Sequence, residues 1–230
     1  MAQTKKYGHK WFLLGLLGVF IAAPNATVIK YAVDAVSPLQ YNALRFLVVA
    51  LLTTPLLLAS LKKFTKYNLS QSLQAGFFMA IAVVSYVTSI KLSQASYVSI
   101  ITLVTPIVFI LFSTRINGES INKRAMAGVT LAAIGAMVIV MLPLAIRQSG
   151  DFVFYPLATA FALVNSISYS LAIIKLKSAN EAGVPLPALL SISAWTVAAI
   201  SGVLLAGALT QGTELSPLNG RLLLGVFYSG

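Results

Sequence analysis

Seven stretches without a charged residue divide this chain, at 11–29, 46–61, 67–90, 92–114, 125–146, 152–174 and 182–213, and an eighth, 222–230, meets its last residue. Crossing the hydrocarbon core of a bilayer takes ~20 apolar residues in a helix. A soluble domain usually carries ~25% charged residues, whereas this chain has 9% with a mean hydropathy of +0.89, too few charges to coat a water-facing surface. The expected fold is therefore all-α, a polytopic helical membrane protein with seven spans and the start of an eighth, about 7.5 in all. The expected spans are 11–30, 39–61, 70–90, 95–114, 124–146, 152–174, 186–209 and 219 onward.

The net charge of +11 suggests nucleic acid until its distribution is read. With residues 1–10 as a cytoplasmic basic tail and the spans alternating in direction, eleven basic residues fall inside and five outside (Lys30, Arg45, Lys91, Arg147 and Arg221). That is the positive-inside bias of a membrane protein, so no nucleic-acid partner is expected. The opening "MAQTKKYGHKWFLLGLLGVFIAA" has the n-region and h-region of a secretory signal, but no Ala-x-Ala site follows and the apolar run continues through "PNATVI". It reads as an uncleaved first span, in a multi-pass protein of the cytoplasmic membrane.

Catalytic chemistry has little to work with. There is no cysteine, and His9 is the lone histidine, so a thiolate nucleophile, a disulfide scaffold and a His/Glu metal cluster are all excluded. No phosphate-cradling glycine loop or Gly-x-Ser-x-Gly elbow occurs. No catalytic residue, metal site or cofactor is expected. An enzyme ranks below a transporter and below a non-transporting membrane scaffold or partner subunit. The expected partners are the bilayer and a small solute, with self-association into a homo-oligomer left open.

"KYAVDAVSPL" at 30–39 aligns with "KSANEAGVPL" at 177–186, an offset of 147. Lysine, alanine, an acid, alanine and Pro-Leu recur in register, each time between two apolar spans. Five spans separate the copies. Because five is odd, the second copy crosses the membrane in the opposite sense, the inverted-repeat arrangement of many transporters. The expected domains are a first five-helix repeat over 11–146 and a second, incomplete one over 152–230. On this reading the chain is a C-terminally incomplete version of a ten-span, 5+5 protein, with a natural seven- or eight-span protein as the alternative.

Polar residues inside the spans are the candidates for function. Ser96, Ser99, Thr102 and Pro106 share one face of the fourth span. Pro106 has no amide hydrogen and leaves the Thr102 carbonyl without its helical donor, so this face should turn toward protein or a wet cavity. The alternative is a packed helix whose hydroxyls bond back to their own backbone. Pro24 and Asn25 interrupt the first span in the same way. Asn25 serves either as a ligand contact or as a structural hydrogen-bonding group. In the sixth span Asn165, Ser168 and Tyr169 are i, i+3, i+4 neighbours, and Tyr86 of the third span lies at comparable depth. Pro24 and Pro106 are candidate hinges. Lys30, Arg45 and Lys91 lie near the outer ends of their spans, where anchoring by snorkelling is the reading preferred over a cationic vestibule. Gly15, Gly18, Ala22 and Ala26 on the first span, and Gly128, Ala132 and Gly135 on the fifth, form small faces suited to close helix packing. Glu119, four residues before Lys123, suits a helix N-terminus.

Several of these residues also carry a family pattern. "ASYVSIITLVTPIVFILFSTRINGESINKRAMAGVTLAAIGAMVIV" resembles the fourth and fifth spans of EamA-type proteins in the drug/metabolite transporter superfamily. Ala95-Ser96, the mid-helix Pro106, the Gly118-Glu119 turn and the Gly128 and Gly135 pair match in order. Ile29-Lys30, Pro38 and Arg45 leading "FLVVALLTTPLLL" extend the likeness to the first two spans, without the tryptophan of the usual first-span Trp-Gly motif. The resemblance implies two inverted five-helix repeats that move small metabolites by alternating access, often as exporters. It implies a central cavity lined by the first, third, fourth and sixth helices, which carry Asn25, Tyr86, Ser99, Thr102, Asn165, Ser168 and Tyr169. The expected solutes are amino-acid-like or amphipathic, selected by shape and hydrogen bonding rather than by a central charge.

Overall fold

The computed structural model describes residues 4–118, 122–146 and 155–229. Among them are α1 (Thr4–Ala22), α2 (Asn25–Val33), α3 (Pro38–Ser60), α4 (Lys66–Leu92), α5 (Ala95–Thr102), α6 (Thr105–Asn117), α7 (Lys123–Ile146), α8 (Pro156–Glu181), α9 (Leu186–Thr210) and α10 (Gly220–Ser229), with a 3-10 turn at Leu61–Lys63 and no strand. α1 with α2, and α5 with α6, are halves of single spans. Six segments are long and apolar enough to cross a membrane: Leu13–Val33, Pro38–Lys63, Lys66–Leu92, Ala95–Ile116, Pro156–Glu181 and Leu186–Thr210. α7 adds a helix of 24 residues. Large apolar side chains such as Leu52, Leu131 and Val203 are exposed all around the bundle, a surface suited to lipid rather than to water.

Local chemistry sets the helix ends. Ser37 and Thr65 cap α3 and α4, their hydroxyls accepting from the amides of Gln40 (3.1 Å) and Asn68 (3.2 Å). Pro38 and Pro156 occupy first-turn positions, where a missing amide hydrogen costs nothing. The basic segment expected to precede the first span is itself helical from Thr4, so Lys5, Lys6 and Lys10 ride on α1. α8 starts later than the expected 152–174 span and runs on to Glu181, carrying Lys175 and Lys177; Gly183, at φ 96°, permits the turn that follows.

α8 packs along α4 and α3 along α9, while α4 also meets α9 and α10 lies on α2 and α3. Two core clusters carry the internal repeat into three dimensions. One contains Ile29, Ala32, Tyr41, Leu222 and Val226, with Ala26 against it; the other contains Leu176, Ala179, Ala188 and Ala75, with Met79 and Ile173 against it. Positions 26, 29, 32 and 41 correspond to 173, 176, 179 and 188 at the offset of 147, and 75 and 79 correspond to 222 and 226. The ion pairs Lys30–Asp34 (3.0 Å) and Lys177–Glu181 (3.9 Å) are equivalent in the same way. α4 gives Ala75 to one cluster and Val87 and Ile90 to the other, points ~20 Å apart along a helix rising 1.5 Å per residue. The two clusters therefore sit at opposite ends of the bundle, and the second copy is turned over relative to the first.

The small faces of the first and fifth spans do not pack as expected. A Cβ added at Gly15, Gly18, Gly128 or Gly135 would meet nothing within 4 Å. Ala22 is exposed, and only Ala26 joins a core cluster. Close approach occurs instead at Gly76, where a Cβ would stand 2.5 Å from Thr196 Cβ, and at Gly225, where it would stand 2.5 Å from Ala32 Cβ.

Candidate functional site

Pro24 and Pro106 break the two spans they occupy. α1 ends at Ala22 and α2 begins at Asn25; α5 ends at Thr102 and α6 begins at Thr105. At the second break the amides of Leu103 and Val104 turn to the carbonyls of Ile100 and Ile101, at 3.1 and 3.2 Å, tightening the last turn of α5. Irregular backbone at membrane depth must be satisfied by protein or by a wet cavity, and α8 supplies part of that. The Thr105 hydroxyl donates to Ser166 Oγ (2.9 Å), and Ser170 Oγ donates to the Thr105 carbonyl (3.3 Å). At the first break the Tyr228 hydroxyl donates to the Ile21 carbonyl.

Both breaks open on one cavity of about 290 Å³, lined by Asn25, Arg45, Val83, Tyr86, Thr102, Thr105, Asn165 and Tyr169. A neighbouring chamber of about 480 Å³ shares Thr102, Thr105 and Tyr169 with it and adds Pro106, Phe109, Ser170 and Ile173. Arg45, Tyr86 and Asn165 lie seven, six and nine residues from Pro38, Leu92 and Pro156, the helix ends on that side. At 1.5 Å per residue they share a depth of ~9–14 Å. Three helices thus bring an arginine, a phenol and an amide to one level inside the bundle.

The hydrogen-bonding state of these groups is uneven. Thr102 Oγ1 donates to the Ser99 carbonyl at 3.0 Å and Thr105 is committed to Ser166. The side chains of Asn25, Arg45, Tyr86, Asn165 and Tyr169 make no hydrogen bond to any described residue, and Asn25 Oδ1 and Arg45 Nε are fully buried without a partner. Buried polar atoms in folded proteins nearly always have a partner. Five unengaged groups around one cavity are the pattern of a site for a polar solute.

Residues 9–141 match the model of the EamA-like transporter family. The chain belongs to that family. This EamA-like chain is a multi-pass membrane transporter of the drug/metabolite type. A solved structure, described only as "Crystal structure of protein", is similar to it with a TM-score of 0.66 and 18% identity, over 94% of this chain and 72% of its own, and agrees on the fold. No curated protein matches the sequence.

The EamA-like chain brings together five of the seven candidates, Asn25, Tyr86, Thr102, Asn165 and Tyr169, with both prolines at the breaks around them. Ser99 and Ser168 lie outside the lining. Ser99 Oγ donates to its own backbone at Ala95 (2.8 Å), and Ser168 is buried within the helix packing. Glu119 falls outside the described residues; Gly118 before it adopts φ 65° and ends α6. The sequence reads Arg45 as a rim anchor, whereas the structure places it in the cavity wall. Its seven-residue distance from Pro38 was the available signal, since that is two turns inside the helix. Thr105 carries no signal in the sequence, because a hydroxyl beside a proline reads as local backbone chemistry until its partner Ser166 on α8 is known.

Proposed function

We propose that this protein is a secondary transporter or facilitator that moves small metabolites across the cytoplasmic membrane by alternating access, working outward, with its N-terminus in the cytoplasm. The observation carrying this reading is the cavity ringed by the side chains of Asn25, Arg45, Tyr86, Asn165 and Tyr169, none of them hydrogen-bonded to described protein, set between two proline-broken spans. Transporters commonly build their sites from discontinuous helices at the interface of two inverted repeats. Here the repeats are assigned to 11–146 and 152–230. The breaks at Pro24 and Pro106 supply the points at which half-helices tilt, closing the cavity to one side and opening it to the other.

Flux of a broad metabolite panel through proteoliposomes tests the transport step; no flux above protein-free vesicles for any solute would end it. Because the chain has no cysteine, single cysteines at Thr102 and Asn165 test the route. Modification from both faces by an impermeant reagent is expected, and protection at both positions would favour a closed scaffold. Lower retention of substrate in expressing cells than in controls checks the outward direction.

A further inference from the structure

We infer that Arg45 is a carboxylate-binding residue, so that the solute is an amphipathic acid whose carboxylate sits at Arg45 and whose apolar part extends toward Phe109 and Ile173. This inference rests on the transport reading of the same cavity. A guanidinium presents several N–H donors in a planar fork that matches a carboxylate. The Arg45 guanidinium lies over the Phe46 ring, its Cζ 5.1 Å from the centroid, and also faces the phenols of Tyr41 and Tyr86. Its buried Nε has no hydrogen-bond partner among the described residues, so its N–H is left to another partner. No acid among the described residues serves as that partner, for Asp34 pairs with Lys30, Glu181 pairs with Lys177, and Glu214 lies in the connection between α9 and α10.

Anchoring does not account for Arg45. The lysines on the same side show what rim residues do here: Lys91 Nζ donates to the Val36 carbonyl at 2.8 Å, and Lys30 Nζ to the Lys91 carbonyl at 3.4 Å. Arg45 makes no such bond, and its Nε is buried.

Asn25 opens α2 and Thr105 opens α6, and both line the cavity with Arg45. Each break also ends a half-helix, α5 at Thr102 in the same lining, so the helix dipoles meet head to tail and the guanidinium supplies the net charge. The adjoining chamber has a different chemistry, with Pro106, Phe109 and Ile173 in its wall. A solute spanning both would be anionic at one end and apolar at the other. A cationic solute would be excluded at Arg45.

Paired solutes differing only in the charged group test this in liposomes containing the whole chain: N-acetyl-leucine against N-acetyl-leucinamide, and leucine against leucinamide, each as a direct substrate and as a competitor. Acids are expected to enter or compete at least ~10-fold better than their amides. Arg45→Gln is expected to abolish that ratio, and Arg45→Lys to keep part of it. Equal handling of acid and amide by the unsubstituted protein overturns the carboxylate assignment and leaves the transport reading standing. An undiminished ratio in Arg45→Gln overturns the role of Arg45. Absence of flux and competition across the wider panel overturns both. If Arg45→Gln does not insert, Arg45→Lys and the unsubstituted ratio still decide the question.

Discussion

Moved by 147 residues, α2 falls on the end of α8 and α3 on α9, and the two copies can be compared position by position. Core positions agree in kind: Ile29 with Leu176, Ala32 with Ala179, Leu222 with Ala75. Cavity positions do not. Asn25 stands opposite Ala172 in this register, Arg45 opposite Ile192, and in the other direction Asn165 opposite Gly18 and Tyr169 opposite Ala22. Pro24 corresponds to Leu171, and α8 accordingly runs unbroken for 26 residues where the first span is split. One backbone plan is thus used twice, since each copy must bury the same apolar face. The site uses the differences, since a solute is held by whichever copy carries the polar side chain.

The comparison breaks hardest if the missing proline is supplied. Leu171→Pro places the Pro24 break in α8, which packs against α4, α5, α6 and α9. Proline inside a helix costs ~3 kcal/mol or more, so little monodisperse protein should survive size-exclusion in detergent. A folded Leu171→Pro variant with unchanged melting would mean that the two spans tolerate a break equally. Next comes close approach. Gly76→Val must push Thr196 away, and overpacking of this kind costs about 1–3 kcal/mol, read as a lower melting temperature. Gly128→Val, with nothing nearby, should melt as the parent does.

Smaller effects sharpen the contrast at the site. Asn165→Ala removes one hydrogen bond to solute, worth ~1 kcal/mol, and should raise the KM of flux about fivefold, with Tyr169→Phe acting in the same direction. Gly128→Ala should change neither. The equivalent ion pairs should matter least. Their acids are exposed, and surface pairs contribute about 0–1 kcal/mol, so Asp34→Asn and Glu181→Gln should leave melting almost unchanged.

The two prolines show how far local rules reach. A residue without an amide hydrogen removes one helical bond and marks where a helix can break, yet Pro55 sits inside the unbroken α3, so packing decides which prolines do break their span. The stripe through Ser99 and Thr102 was legible as a stripe, but only Thr102 reaches the cavity, because the helix ends there and changes course. Asn165 and Tyr169 line the cavity while Ser168, between them in sequence, is buried in the helix packing and does not; a three-residue spacing leaves enough angular spread for packing to divide them.

By itself the sequence determined the order of the apolar segments, two places where a helix could break and the reversal of the second copy. Each follows from hydropathy, a missing N–H or the parity of crossings, properties that belong to the chain one segment at a time. Tertiary structure decided that Arg45 faces the cavity, that Thr105 is held by α8, and that the glycine faces of α1 and α7 are not the places of closest approach. Those outcomes depend on how each helix is rotated about its own axis. That rotation is set by which neighbours pack against it, across separations in sequence that no local pattern records.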